Sequence, residues 1–137
     1  MATYDQEMIQ YMTLFEQVTR TSLKDCFFFK DKIVFLVDEG NLGKAIGKNK
    51  MNIVKLEKLL NRRFKVIEFN SDLCTFIMNL MAPLKCKDIR REEDIVIITG
   101  TDTKTKGLMI GARAQNLREY EKLTQKFYPD LKEIKVV

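Results

Sequence analysis

Two short loops carry residue types suited to holding a polyanion. Ile46-Gly47-Lys48-Asn49-Lys50 sets two ammonium groups and an amide beside a glycine, and Gly111-Ala112-Arg113-Ala114 sets a guanidinium beside another. Each loop opens onto a helical pattern, and a helix start offers unpaired backbone N–H groups and a positive dipole end to a phosphate. Bond-making chemistry has far less support. The chain contains no histidine, which removes the commonest general base and metal ligand. Its three cysteines, Cys26, Cys74 and Cys86, are an odd number at unrelated spacings, as expected of buried fillers rather than a disulfide framework or zinc site. No carboxylate pair is spaced for acid–base work, and no motif supports Lys48 or Lys50 as a nucleophile. The expected activity is binding, with no enzyme function, cofactor, metal or small-molecule substrate.

Charge follows the first loop. Residues 43–65 hold eight Lys/Arg (Lys44, Lys48, Lys50, Lys55, Lys58, Arg62, Arg63, Lys65) against one acid, Glu57. That stretch is +7 in a chain of net +5, so the remainder sums to −2. A basic charge this concentrated is the footprint of a polyanionic partner, although a lysine-rich amphipathic helix in solvent gives the same composition. Residues 107–128 carry a net +2 only.

The elements that must position the loops are legible from periodicity. Residues 3–19 read as a helix, with Thr3 and Gln6 at capping-box spacing and Met8, Met12, Phe15 and Val18 as its apolar stripe. Residues 26–29 and 33–37 read as strands around a turn at 30–32. The run Phe27-Phe28-Phe29 fits either a strand buried on both faces or a platform for stacked bases. A short helix over 42–46 leads into the first loop. Beyond it Ile53, Leu56 and Leu60, joined by Leu59, mark a helix, and 64–69 a closing strand. Leu73, Phe76, Ile77, Leu80 and Met81 then define a helix that Pro83 ends. Strands over 84–90 and 94–99 flank a turn at 91–93. Residues 100–106 form an exit, the second loop and helix follow, and 134–137 closes the chain. No apolar run approaches the roughly 18 residues of a membrane span. Met1–Asp5 shows no secretory pattern, so a cytoplasmic location is expected.

The second half repeats the first. At an offset of 64 residues Gly43-Lys44-Ala45-Ile46-Gly47 meets Gly107-Leu108-Met109-Ile110-Gly111, Asp38 meets Asp102, Asn52 meets Asn116, and Glu57-Lys58-Leu59 meets Glu121-Lys122-Leu123. Repetition at this length predicts two copies of one small α/β (α+β) unit, 1–70 and 71–137. Each should run α-β-β-α-α-β, with a three-stranded sheet carrying its helices on one face. This order, with an Ile-Gly loop before an amphipathic helix, resembles the type II KH domain, whose GXXG loop clamps the backbone of about four nucleotides.

The match extends to a family. EMIQYMTLFEQVTRTSLKDC, then IVFLVDEGNLGKAIGKNKMNIVKLEKLLNRRFKVIE, then Ala82-Pro83 and GLMIG resemble the archaeal NusA-like transcription factors over essentially the full length. The resemblance implies single-stranded RNA and RNA polymerase as partners, in elongation, termination or antitermination. Bacterial members add a polymerase-binding N-terminal domain and an S1 domain, for which this chain has no length. On this resemblance Gly47 lets the RNA backbone approach, while Lys48 and Lys50, flanked by Lys44 and Lys55, neutralise phosphates. Asn49 and Asn52 reach bases or sugars and Ile46 supports them. Gly111, Ala112, Arg113, Ala114, Asn116 and Arg118 extend the site to the second unit. The chain departs from the KH signature at its second glycine, which is Lys50 in one loop and Ala114 in the other. That loss suits an alternative in which KH units persist as scaffolds for docking on polymerase or the ribosome.

Overall fold

The computed structural model describes residues 4–137 and divides into two compact units, Met1–Phe69 and Asn70–Val137. Both are mixed α+β, each with a three-stranded sheet.

In the first unit α1 (Gln6–Thr19) is followed by β1 (Leu23–Phe29), β2 (Lys32–Val37), α2 (Leu42–Ile46), α3 (Met51–Leu60) and β3 (Phe64–Glu68). The sheet order is β1-β2-β3, antiparallel and then parallel. A parallel neighbour cannot be reached by a tight turn, so α2, the loop and α3 form the crossover that the topology requires. The start of α1 differs from expectation. Asp5 is the cap, its carboxylate accepting from the Met8 N–H at 2.8 Å; Thr3 lies outside the described residues.

The core beneath the helices is built from Met8 and Phe15 of α1, Cys26, Ile33, Phe35 and Val37 of the sheet, and Leu56 and Leu60 of α3. Phe15 stacks on Phe35 with ring centroids 4.4 Å apart. Strand alternation sends Phe27, Val34, Leu36 and Ile67 to the other face, and these are buried too. Of the phenylalanine run Phe27 is core, while Phe28, packed on the helix side, and Phe29 are only half-buried. Leu59 does not join the apolar face of α3: it stands 57% exposed, with Met51 and Val54 also exposed.

The second unit repeats the order with α4 (Leu73–Met81), β4 (Cys86–Glu92), β5 (Ile95–Gly100), α5 (Thr103–Ile110), α6 (Gln115–Gln125) and β6 (Glu133–Val136). All five apolar positions expected of α4 are buried. Two assignments shift. The β4–β5 turn falls at Glu93-Asp94, so Arg91 and Glu92 are strand residues. Residues 103–106 are the first turn of α5, not an exit loop: Asp102 caps it, accepting from the Thr105 N–H at 2.6 Å, which holds the carboxyl below its usual range. Of the cysteines, Cys26 is buried, but Cys74 and Cys86 are only half-buried.

Candidate nucleic-acid interface

The two loops share one backbone conformation. In the first, the Gly47 N–H closes α2 by donating to Gly43 O at 3.0 Å, and one turn of 3-10 helix follows with Lys50 N–H on Gly47 O at 3.1 Å. In the second, Gly111 donates to Gly107 O at 2.8 Å and Ala114 to Gly111 O at 3.2 Å. Gly47 lies at φ 82, ψ 165 and Gly111 at φ 75, ψ 173, a region open essentially to glycine alone. Asn49 and Lys50 (φ 54 and 59) match Arg113 and Ala114 (φ 55 and 59) in the left-handed helical region. That region admits other residues at a cost of roughly 1–2 kcal/mol each. The glycine kept in both loops is the one the backbone cannot replace; the glycine lost is the one it can.

An asparagine fastens each loop from behind. The Asn52 amide donates to Lys44 O at 3.3 Å, and the Asn116 amide donates to Leu108 O at 2.9 Å. Both bridge the first turn of the following helix to the last turn of the preceding one. Each also fills the space a side chain would need: a Cβ on Gly47 would lie 2.9 Å from Asn52 Nδ2, and one on Gly111 2.7 Å from Asn116 Cγ. Asn116 is buried, so the geometry makes it a support for the loop rather than a surface contact.

Lys44, Lys48, Asn49, Lys50 and Lys55 are exposed, with Ile46, Gly47 and Asn52 half-buried among them. Among the described residues Lys44, Lys48, Lys50, Lys55 and Lys58 make no ion pair, whereas Arg62 bonds Glu7 at 2.8 Å and Arg63 bonds Asp31 at 3.2 Å. The Arg62 guanidinium also lies 4.6 Å from the centre of the Phe28 ring. The positive charge left uncompensated therefore belongs to the loop and the exposed side of α3.

Beside the loop runs a groove of about 780 Å³ between α3 and β3. Its walls include Ile46, Lys50, Ile53 and Glu57 on one side and Phe64–Val66 on the other, with Lys32 at one end. Its lining combines apolar side chains with basic ones and a single acid, which suits the face and edge of a heterocycle. Burial, reinforced by the neighbouring Lys32, pulls the Lys65 ammonium down to about 8. Lys32, Glu57 and Lys65 were not among the expected contacts, because only the fold brings β2, α3 and β3 together around one groove.

The second unit differs at matching positions. Ala112, Arg113 and Arg118 are exposed, and Gly111 and Ala114 half-buried. Leu117 is buried where Ile53 is only partly so. Glu121 is buried, accepting from Arg118 Nη1 at 2.9 and 3.1 Å and from the Ile134 N–H at 2.8 Å. Arg118 is thus engaged within its own unit, and its pKa is raised chiefly by that bond.

No group of three or more His, Cys, Asp or Glu among the described residues is placed to hold a metal, and no helix is long and apolar enough to cross a membrane.

No known family model matches the chain. Individual proteins do. It is 28% identical over 134 residues to the probable transcription termination protein NusA of Methanocaldococcus jannaschii, spanning 96% of this chain and 73% of that one. Identity is 31% over 114 residues with the protein of that name from Methanococcus vannielii (81% and 66%) and 26% over 129 residues with that from Thermoplasma acidophilum (92% and 90%). The crystal structure of APE1850 shares the fold, with a TM-score of 0.66 at 24% identity over 98% of this chain and 100% of that one. Several archaeal proteins of one name are matched over most of the chain: the chain is an archaeal NusA-like protein.

Proposed function

We propose that this protein is an RNA-binding transcription factor acting in termination or antitermination in the cytoplasm, and that its two units are type II KH domains. The supporting observation is that Lys44, Lys48, Lys50, Lys55 and Lys58 make no ion pair among the described residues and lie on a loop and helix beside a groove of about 780 Å³, roomy enough to admit a nucleobase. In this reading the sugar–phosphate backbone runs along Gly47, where no side chain intervenes. Lys48 and Lys50 neutralise phosphates, and Lys44 and Lys55 extend the field. Asn49 is the exposed amide at the loop tip, while Asn52 acts through the loop it fastens. One base enters the groove against Ile46 and Ile53. The second loop adds Arg113, with Ala112 and Ala114 leaving its backbone accessible and Gly111 and Asn116 holding its shape. RNA polymerase is the protein partner that a NusA-like factor would engage.

A second reading rests on a specific observation. Met51, Val54 and Leu59 stand 51, 45 and 57% exposed on the outer side of α3, beside Lys55 and Lys58. That side would dock an acidic protein surface and leave the groove empty. Equilibrium binding of a fluorescent single-stranded oligoribonucleotide at physiological salt, beside a polymerase co-sedimentation assay, separates the two. The RNA reading expects Lys48→Ala with Lys50→Ala to weaken RNA binding, and Met51→Ser with Val54→Ser to leave it intact. Loss of polymerase association in the second variant, with no RNA binding by the parent protein, would reverse the conclusion.

A further inference from the structure

Glu57 is the single acid in residues 43–65, and it lines the groove together with Lys32 and Lys50. Among the described residues it has no hydrogen bond or ion-pair partner. A free carboxylate facing a site for a polyanion is unfavourable unless the ligand supplies it with donors.

The second unit shows what a carboxylate at this position binds. Glu121, the counterpart of Glu57, takes two kinds of N–H donor at once: the Arg118 guanidinium and the backbone of Ile134. Ile134 pairs with Val96 in the second sheet as Lys65 pairs with Val34 in the first. The first unit lacks the guanidinium, since Val54 stands where the second has Arg118. Glu57 thus keeps the acceptor and loses the internal donor, and it faces open space instead of being closed over.

We propose that Glu57 determines base specificity in the first unit's groove, its carboxylate accepting from the N1–H and N2–H₂ donors of a guanine. This rests on the RNA-binding reading above. Guanine alone of the four bases presents two adjacent N–H donors on its Watson–Crick edge, as a guanidinium does. Adenine and cytosine offer one amino group there, and uracil one imide N–H. Guanine's remaining acceptors, O6 and N7, suit a lysine ammonium group such as that of Lys32, which lines the same groove.

The test measures fluorescence anisotropy with oligoadenylates of about eight nucleotides, carrying adenine, guanine, cytosine, uracil or hypoxanthine at one central position. The parent protein should favour guanine by about tenfold, the discrimination of one good bidentate contact. Hypoxanthine, which lacks the 2-amino group, should lose much of that preference. Glu57→Gln should flatten the series while leaving the other oligonucleotides bound as well or better, since a negative charge is gone. Lys48→Ala with Lys50→Ala should weaken every oligonucleotide and keep their ranking. Binding without a preference for guanine, or a preference that survives Glu57→Gln, overturns the assignment of Glu57 alone. Failure of the parent protein to bind any of them overturns the RNA-binding reading, and this assignment with it.

Discussion

Replacing Lys50 with glycine should move stability and RNA affinity in opposite directions. Lys50 sits at φ 59, ψ 26, a left-handed conformation costing a side chain roughly 1–2 kcal/mol. Glycine removes that strain, but the extra freedom it gives the unfolded chain takes back roughly 0.5–1 kcal/mol. About 1 kcal/mol should remain in favour of Lys50→Gly, seen as a rise of roughly 3–6 °C in Tm. The Lys50 N–H bond to Gly47 O at 3.1 Å is a backbone contact and is unaffected. Binding loses one phosphate partner, so the slope of log K against log salt should fall by about 0.7. Ala114→Gly, at φ 59, ψ 24, is the control: the same gain in stability with no charge removed and no loss of affinity. Calorimetry and anisotropy titrations at several salt concentrations read both quantities. A Lys50→Gly protein that is less stable, or that binds RNA more tightly, would refute the claim that charge rather than backbone clearance governs this position.

Other outcomes follow from the same geometry. Gly47→Ala and Gly111→Ala should each cost roughly 1–3 kcal/mol, since both the backbone region and the adjacent Asn52 or Asn116 exclude a Cβ; chemical denaturation measures this. Lys65 titrates near 8 when folded against 10.5 for a free lysine, so the unfolded chain holds more protons in between and stability should gain from this group as pH rises from about 8 to 10.5. RNA phosphates would restore its proton, so affinity at fixed salt should weaken as pH rises through about 8, and Lys65→Arg should remove that dependence. Burial pushes the Cys26 thiol up to about 12, and it donates to Met8 Sδ at 3.2 Å. Maleimide labelling read by mass spectrometry should therefore modify Cys74 and Cys86 in the native protein and Cys26 only on unfolding.

Much of this architecture is legible in the sequence, because the signals that carry it are local. The five apolar positions of α4 and the unbroken apolar run of β2 report burial directly, and the 64-residue repeat joins the two loops without any coordinates. What is not legible depends on neighbours distant in the chain. The Thr/Lys-rich first turn of α5 has no apolar period and is a helix because Asp102 caps it. Leu59 matches helical spacing yet faces away from the sheet, since α3 presents only Leu56 and Leu60 fully to the core. Both loops lack the second KH glycine, but sequence cannot say that one glycine position lies in a glycine-only region and the other in a merely costly one. Asn52 and Asn116 look like surface amides until the carbonyls of Lys44 and Leu108 are seen behind them. The difference between Glu57 and Glu121 is likewise hidden, because it depends on whether residue 54 or 118 can reach across to the acid.

The salt dependence of single-stranded RNA affinity, measured for the parent protein, Lys48→Ala with Lys50→Ala, and Arg113→Ala, tests the central claim most directly. Each neutralised phosphate contributes about 0.7 to the slope of log K against log salt. The double lysine variant should therefore lose about 1.4 of slope and bind unrelated sequences more weakly, while Arg113→Ala should lose at most about 0.7. Identical slopes for all three proteins, or no RNA binding by the parent at physiological salt, would contradict the assignment of the first loop as the RNA clamp.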